Sequence, residues 1–131
     1  MQMQNQSKKR DAILRILQST DSHPTAEWIH TQVRQIFPKI SLGTVYRNLT
    51  LFRQMGEIIS IGKVDGQERF DADISLHGHF VCNTCYAVID FPQPEGLDAS
   101  FDQHPRLAGA WIDRATMMIH GTCPDCLPLA K

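Results

Sequence analysis

The chain has 131 residues, of which 42% are hydrophobic, and a formal net charge of −1. This length accommodates one or two small domains, and the composition is ordinary for a soluble globular protein. No apolar run approaches the length of a membrane-spanning helix, and the first ten residues, MQMQNQSKKR, lack the apolar segment of a secretory signal. The sequence therefore predicts a cytoplasmic location.

The charge is divided unevenly along the chain. Residues 1–70 contain ten Lys or Arg against six Asp or Glu, a net charge of +4, whereas residues 71–131 contain three against eight, a net charge of −5. A basic half joined to an acidic half indicates that the first half meets a polyanion and the second does not. The alternative is an uneven surface charge that serves no partner.

The first half carries three helical patterns. Apolar residues recur at helical spacing over 7–18, which predicts the first helix. Thr25 is a typical N-cap for a second helix that runs to Ile36. Ser41 is the N-cap of a third, and Gly56 is a suitable stop for it.

A β-hairpin is predicted directly after the third helix. The strands 57–64 and 67–71 flank Asp65 and Gly66, and Asp-Gly is the strongest two-residue hairpin signal. Three helices followed by a hairpin form a winged helix, whose third helix enters the DNA groove. A helical bundle with a solvated polar face that binds no DNA is the alternative.

The polar face of the third helix has side chains that suit a DNA groove. Arg47 can pair with guanine or phosphate, and nearby hydroxyl groups can bind phosphate and so position the helix. Basic residues of the first helix and of the wing would add attraction that does not depend on base sequence. The predicted DNA-binding residues are Ser41, Thr44, Tyr46, Arg47, Asn48, Lys8, Lys9, Arg10 and Lys63.

The second half reads as short strands with one helix. The predicted elements are strands at 79–81, 87–91 and 111–121, a turn at 92–96 and a short helix at 97–107 that Pro105 interrupts. The fold class is therefore α+β: an N-terminal winged helix-turn-helix domain over 1–71, then a small zinc-stapled α/β domain over 72–131. Because this second domain has few apolar residues, zinc and self-association are both plausible sources of its stability.

All four cysteines occur in two Cys-x-x-Cys pairs, Cys82 with Cys85 and Cys123 with Cys126, separated by 37 residues. Each pair places two sulfurs on one tight turn, and two such pairs supply the tetrahedral thiolate shell of a structural zinc site. Two disulfides or a redox dithiol are the alternatives. The apparent cytosolic context disfavours disulfides, and a redox Cys-x-x-Cys usually occurs singly.

A second candidate metal site combines histidines and carboxylates. His77 and His79 lie two residues apart on a predicted strand and so share a face, and acidic groups occur at the domain junction and on the next strand. A shell of imidazole nitrogens and carboxylate oxygens suits Fe(II) or Mn(II), although zinc could also bind. The candidate ligands are His23, Asp71, His77, His79 and Asp90.

Several segments together resemble a known family. They are HPTA at 23–26, SLGTVYRNL at 41–49, RFD at 69–71, HGHFVCNTC at 77–85, IDF at 89–91 and CPDC at 123–126. In this combination and order they resemble the ferric uptake regulator family over roughly residues 7–126. Iron sensors of that family more often carry Glu at the position of Asp90, so in this respect the chain resembles the peroxide-sensing branch.

The resemblance implies a homodimeric, metal-dependent DNA-binding repressor whose second domain forms the dimer. It implies structural zinc on the four cysteines and a regulatory Fe(II) or Mn(II) on the five His and Asp ligands. In the peroxide-sensing branch, iron-bound protein reacts with hydrogen peroxide, and the oxidant damages ligand histidines, by analogy His23 and His77. Such a protein is a sensor and not an enzyme.

Three other functions remain open at the level of sequence. The first is a regulator of iron, manganese or zinc uptake, for which metal availability is the signal. The second is a non-haem metalloenzyme, because two histidines and a carboxylate also bind iron in oxygenases. The third is a zinc-stapled interaction module that does not bind DNA.

Overall fold

The computed structural model describes residues 2–127, with side chains from Asn5 onward except that of Ser100. The described residues form two compact units divided between Ile74 and Ser75. The first unit contains α1 (Gln2–Gln18), α2 (Ala26–Val33), α3 (Leu42–Gln54), β1 (Ile59–Val64) and β2 (Gln67–Asp71). The second contains β3 (Gly78–Cys82), β4 (Val88–Phe91), a 3-10 helix (Leu97–Phe101) and β5 (Met118–Gly121). Within residues 2–127, no helix is both long and apolar enough to span a bilayer.

Both predicted helix caps are confirmed. The Thr25 hydroxyl accepts a hydrogen bond from the Trp28 amide, and the Ser41 hydroxyl accepts one from the Thr44 amide, each at 3.1 Å. Each cap satisfies one of the amides that a helix N-terminus leaves without a partner. Gly56 has a φ of 74°, the left-handed conformation that terminates α3.

Two helix boundaries differ from the prediction. α1 begins at Gln2 and not at residue 7, because the glutamine-rich entry is made of good helix formers although it has no apolar stripe. α2 ends at Val33 and not at Ile36. There the Ile36 and Phe37 amides both bond to the Val33 carbonyl, which tightens the last turn, and Pro38 cannot extend it.

The predicted hairpin is confirmed. Asp65 and Gly66 have φ values of 53° and 79°, as a two-residue type I′ turn requires, and Val64 pairs with Gln67 across it. The first strand starts at Ile59, two residues later than expected, because the Glu57 amide still bonds to the Phe52 carbonyl of α3.

One apolar core joins the helices and the hairpin of the first unit. Its buried members come from every helix and from the flanking strand segments: Ile13, Leu17, Ala26, Ile29, Val33, Ile40, Val45, Leu49, Phe52, Ile58 and Phe70. Burial of each large side chain contributes about 1.5–3 kcal/mol, so this unit has a substantial core of its own.

The second unit is built on a three-stranded sheet in the order β4-β3-β5. The central strand β3 runs antiparallel to β4 and parallel to β5. In this register His79 pairs with Asp90, and Phe80 lies between Ile89 and Ile119. The predicted strands at 79–81 and 87–91 are confirmed to within one residue.

Two predictions for the second unit were wrong. The last strand spans Met118–Gly121 and not 111–121, because the Gln93 side chain replaces a strand partner: it donates to the Ala115 carbonyl at 2.8 Å and accepts from the Met117 amide at 3.0 Å. The helix expected over 97–107 is only a 3-10 helix that ends at Phe101. Residues 101–111 are all exposed, so no buried face stabilises a longer helix.

Candidate metal centres and nucleic-acid surface

The four cysteine sulfurs converge at one end of the second sheet. Cys82 ends β3, and its strand partner Gly121 lies two residues before Cys123, so the parallel pairing brings the two Cys-x-x-Cys turns together. All four Sγ atoms lie within 4.8 Å of one another, and those of Cys85 and Cys123 are 3.8 Å apart. A zinc ion with bonds of about 2.3 Å to four tetrahedral sulfurs sets a sulfur separation of about 3.8 Å. All four thiols are free of disulfides.

The electrostatics of this cluster also fit a cation. The Cys82 sulfur accepts hydrogen bonds of 3.4–3.5 Å from the amides of Cys123, Thr84 and Cys85. These bonds, that of Cys123 first, lower the pKa of Cys82 to about 6, so it is a thiolate at neutral pH. The hydrogen bond with the Cys123 side chain, and then burial, raise the pKa of Cys126 to about 12. A second buried thiolate therefore needs a metal cation to offset its charge.

The first unit holds two of the candidate regulatory ligands. His23 is buried, and its Nε2 atom lies 3.1 Å from Oδ2 of Asp71 at the end of β2. His23 has a φ of 55°, which is uncommon for a residue other than glycine. Arg69 holds this turn, since its guanidinium donates to the carbonyls of His23 and Ser22.

The second unit holds the other three. His77 and His79 are buried, and their Nε2 atoms lie 3.1 Å and 3.3 Å from the same Asp90 oxygen. Two ligands at right angles on a metal with bonds of about 2.1 Å are about 3.0 Å apart, so the spacing suits atoms that share one ion. The His77 Nδ1 atom donates to the Ser75 carbonyl at 2.8 Å, which leaves Nε2 as the ligand atom.

Gly78 is required between these histidines. A Cβ atom at this position would lie 2.3 Å from the Phe91 ring on β4, which is closer than the 3.0 Å below which Cβ contacts essentially never occur. The glycine thus allows β3 and β4 to approach with Phe91 over the His-Gly-His segment.

The predicted DNA-binding residues are only partly grouped. Thr44, Arg47 and Asn48 of α3 line a cavity of about 340 Å³ together with Lys9 and Arg10 of α1. Two basic side chains of the first helix therefore adjoin the polar face of the third. The other four do not line this cavity. Ser41 is the N-cap of α3 and Tyr46 lies on that helix, while Lys8 lines a different cavity and Lys63 is exposed on β1.

Side-chain hydrogen bonds order the start of α3. Arg47 donates to the Thr44 hydroxyl at 3.0 Å, and the Asn48 amide donates to the Thr44 carbonyl at 2.9 Å. The Tyr46 hydroxyl donates to the Glu27 carboxylate of α2 at 3.0 Å, and burial followed by this bond raises the pKa of Tyr46. The tyrosine is therefore held in place and remains neutral.

Arg69 lies in the RFD segment at 69–71, but the sequence pattern assigned no role to its side chain. It lies two residues before Asp71 on β2, so strand alternation places both side chains on one face. That alternation is the available sequence signal, but the carbonyls to which Arg69 donates are 46 and 47 residues away along the chain. Only the folded turn reveals them.

A winged helix followed by a unit with thiolate and imidazole–carboxylate clusters defines a class of protein: the metal-dependent transcription regulators. The chain matches the model of the ferric uptake regulator family over residues 3–118. It is 34% identical to the peroxide-responsive repressor PerR of Staphylococcus epidermidis, over 90% of this chain and 78% of that one. It is 35% identical to the peroxide operon regulator of Bacillus subtilis, over 90% and 81%.

Solved structures agree with the fold. The Campylobacter jejuni peroxide stress regulator superposes with a TM-score of 0.76 and 22% identity, covering 93% of this chain and 91% of that one. The Helicobacter pylori ferric uptake regulator gives the same score and identity, covering 91% and 79%. This chain belongs to the ferric uptake regulator family and is a metal-sensing repressor, and the α+β winged-helix prediction is confirmed.

Proposed function

We propose that this repressor senses hydrogen peroxide through Fe(II) held by His23, Asp71, His77, His79 and Asp90. The observation that carries the proposal is that all three imidazole Nε2 atoms lie 3.1–3.3 Å from a carboxylate oxygen within their own unit. Each unit thus offers a partial ligand set of the kind that prefers iron or manganese. The two relatives named above, which are peroxide regulators by name, support the choice of signal.

In this proposal the metal ligands are themselves the target of the oxidation. Fe(II) held by these residues would supply the redox activation of hydrogen peroxide next to the imidazoles, and the imidazole that is oxidised would provide both electrons. One peroxide oxygen enters the Cε1–H bond of His23 or His77, and the other leaves as water. Because an oxidised imidazole is a weaker donor, the ligand set then loses the metal, and metal-dependent DNA binding ends. The protein is consumed by the reaction, so it acts as a stoichiometric sensor and not as an enzyme.

The proposed DNA partner is a duplex with two half-sites, read by a homodimer. In the first unit, Lys9, Arg10 and Arg47 place positive charge beside the polar start of α3. In the second, Phe80 is flanked across the sheet by Ile89 and Ile119, both more than a third exposed. Cross-strand partners share a face, so this apolar row offers a surface for a second copy.

The four cysteines are proposed to hold structural Zn(II). The sulfur separations and the lowered pKa of Cys82 support this choice. The regulatory position is proposed to accept Mn(II) as well as Fe(II), since both favour nitrogen and oxygen ligands. Manganese would support DNA binding without the oxidation.

The test compares the two metals. Zinc-loaded protein is given Fe(II) or Mn(II) without oxygen, bound to a duplex obtained by in vitro selection, and treated with a slight excess of hydrogen peroxide. We expect one added oxygen on the peptides with His23 or His77, and DNA release, in the iron form only. The exposed His104 and His120 are internal controls and should stay unmodified.

One outcome would favour a second function. A solved zinc-bound manganese uptake regulator is 28% identical with a TM-score of 0.64, covering 88% of this chain and 87% of that one. If neither histidine is oxidised and DNA binding follows metal concentration alone, the peroxide proposal fails and metal availability is the signal.

A further inference from the structure

The carbonyl of Ser75 accepts two hydrogen bonds in the second unit. One comes from Nδ1 of His77 at 2.8 Å and the other from the Arg114 guanidinium at 3.2 Å. Because a carbonyl oxygen can only accept, the His77 nitrogen that faces it must carry a proton. The same carbonyl thus connects Arg114, in the loop before β5, to a candidate metal ligand.

The direction of this carbonyl determines which nitrogen of His77 is available to a metal and where that nitrogen points. A metal-binding histidine typically donates its second N–H to a carbonyl or carboxylate, and this contact fixes the ring and the tautomer. In this structure the Nδ1–H contact directs Nε2 toward Asp90, at 3.1 Å. We propose that Arg114 is a positioning residue for His77, acting through the Ser75 carbonyl, and this inference rests on the proposed metal site.

The loop that carries Arg114 is itself held in place. Gln93 bonds to the Ala115 carbonyl and the Met117 amide, immediately after the arginine. Arg114 also lines a cavity of about 280 Å³ with Leu76 and Asp113. The Arg114 guanidinium therefore donates to the Ser75 carbonyl from a segment whose position Gln93 fixes.

The test uses Arg114→Ala, the conservative Arg114→Lys and, as a matched control, Arg106→Ala, which removes an exposed arginine of the same unit. Each zinc-loaded protein is titrated with Co(II), whose bound form shows hyperfine-shifted, solvent-exchangeable imidazole N–H resonances. The His77 resonance is assigned by its loss in His77→Gln.

For Arg114→Ala we expect Co(II) affinity to fall about tenfold, which is the smaller of the losses typical when a residue that orients a metal ligand is mutated. We also expect the His77 N–H to exchange faster with solvent. Arg114→Lys should recover most of both, and Arg106→Ala should match the wild type. The inference is overturned if Arg114→Ala retains the wild-type His77 resonance, whatever its affinity.

A different result separates failure of the metal site from failure of this inference. If the wild type binds no Co(II) beyond its zinc site, the proposed function is wrong. Hydrogen–deuterium exchange of residues 74–78 in the zinc-only proteins then tests whether Arg114 positions this segment. Faster exchange in Arg114→Ala than in Arg106→Ala supports positioning by Arg114, and equal exchange overturns it.

Discussion

Gly78 shows how a single residue without a side chain determines the ligand geometry. It pairs with Phe91 across β3 and β4, one position away from the pairing of His79 with Asp90. We expect Gly78→Ala to lower the free energy of unfolding by about 1–3 kcal/mol, the usual cost of overpacking, and to weaken Mn(II) binding. Chemical denaturation and a Mn(II) titration of the zinc-loaded protein would measure both.

The Phe91 ring provides the control for this prediction. In Gly78→Ala/Phe91→Leu the smaller side chain makes room for the new methyl group, so part of both losses should be recovered relative to Gly78→Ala. If the double variant is the sum of the two single variants, the clash with Phe91 is not the cause.

Arg69 has a comparable effect in the first unit, because it holds the carbonyls of Ser22 and His23 while burial lowers its own pKa. Arg69→Met keeps the length of the side chain and removes the donors. We expect a loss of about 2–3 kcal/mol in unfolding free energy, since hydrogen bonds from a charged group are the stronger ones, and weaker Mn(II) binding through His23. Denaturation and metal titration measure the two effects.

Arg53→Met is the matched control for that change. Arg53 pairs with Glu68 at 3.1 Å, but its side chain is about half exposed, and such pairs contribute little. Equal losses in the two variants would mean that Arg69 has no particular role at His23.

At the scale of elements, α3 is the helix whose polar start should determine DNA affinity. Arg47 is exposed near its first turn and lies beside Lys9 and Arg10 at one cavity. We expect Arg47→Ala to weaken binding by about 1–3 kcal/mol if it reads a base, or to lower the salt dependence by about one ion if it contacts phosphate. Fluorescence anisotropy at several salt concentrations distinguishes the two roles.

Arg34→Ala is a suitable control because Arg34 is exposed at the end of α2, away from that cavity. Binding by Arg47→Ala at the wild-type strength and with the wild-type salt dependence would remove α3 from the DNA interface.

At the scale of the whole molecule, the two units differ in what stabilises them. Among its described residues, the first has eleven buried apolar residues in one cluster. Among the described residues of the second, the buried apolar set is small and includes three of the cysteines: Val81, Cys82, Val88, Cys123 and Cys126. The four-cysteine cluster, which is the proposed zinc site, is therefore a large part of the core of the second unit.

We expect removal of zinc to unfold the second unit while the helices of the first persist. Hydrogen–deuterium exchange measured by peptide should show lost protection over β3 to β5 and retained protection over α2 and α3. Retained protection in both units after complete zinc removal would contradict the prediction.

Zinc binding should also depend on pH in a defined direction. The raised pKa of Cys126, about 12, means that this thiol is protonated in the metal-free protein at neutral pH. Binding must displace its proton, so affinity should rise with pH. Calorimetry in two buffers with different ionisation enthalpies would detect the released proton, and identical heats would contradict it.

The sequence by itself determined the winged helix, and it predicted the residues of both candidate metal sites. The caps at Thr25 and Ser41 and the Asp-Gly turn are local signals, and they held because each satisfies its own backbone within a few residues. The candidate ligands were predicted from residue type and spacing, because metal coordination accepts only a few kinds of side chain.

Only the tertiary structure decided the features that depend on partners distant in the chain. The last strand is short because the Gln93 side chain bonds to a loop more than twenty residues away. In the same way, Arg69 and Arg114 gain their roles from carbonyls 46 and 39 residues away. Hydrogen-bond partners at such separations leave no periodic pattern in a sequence, because the chain must fold before they meet.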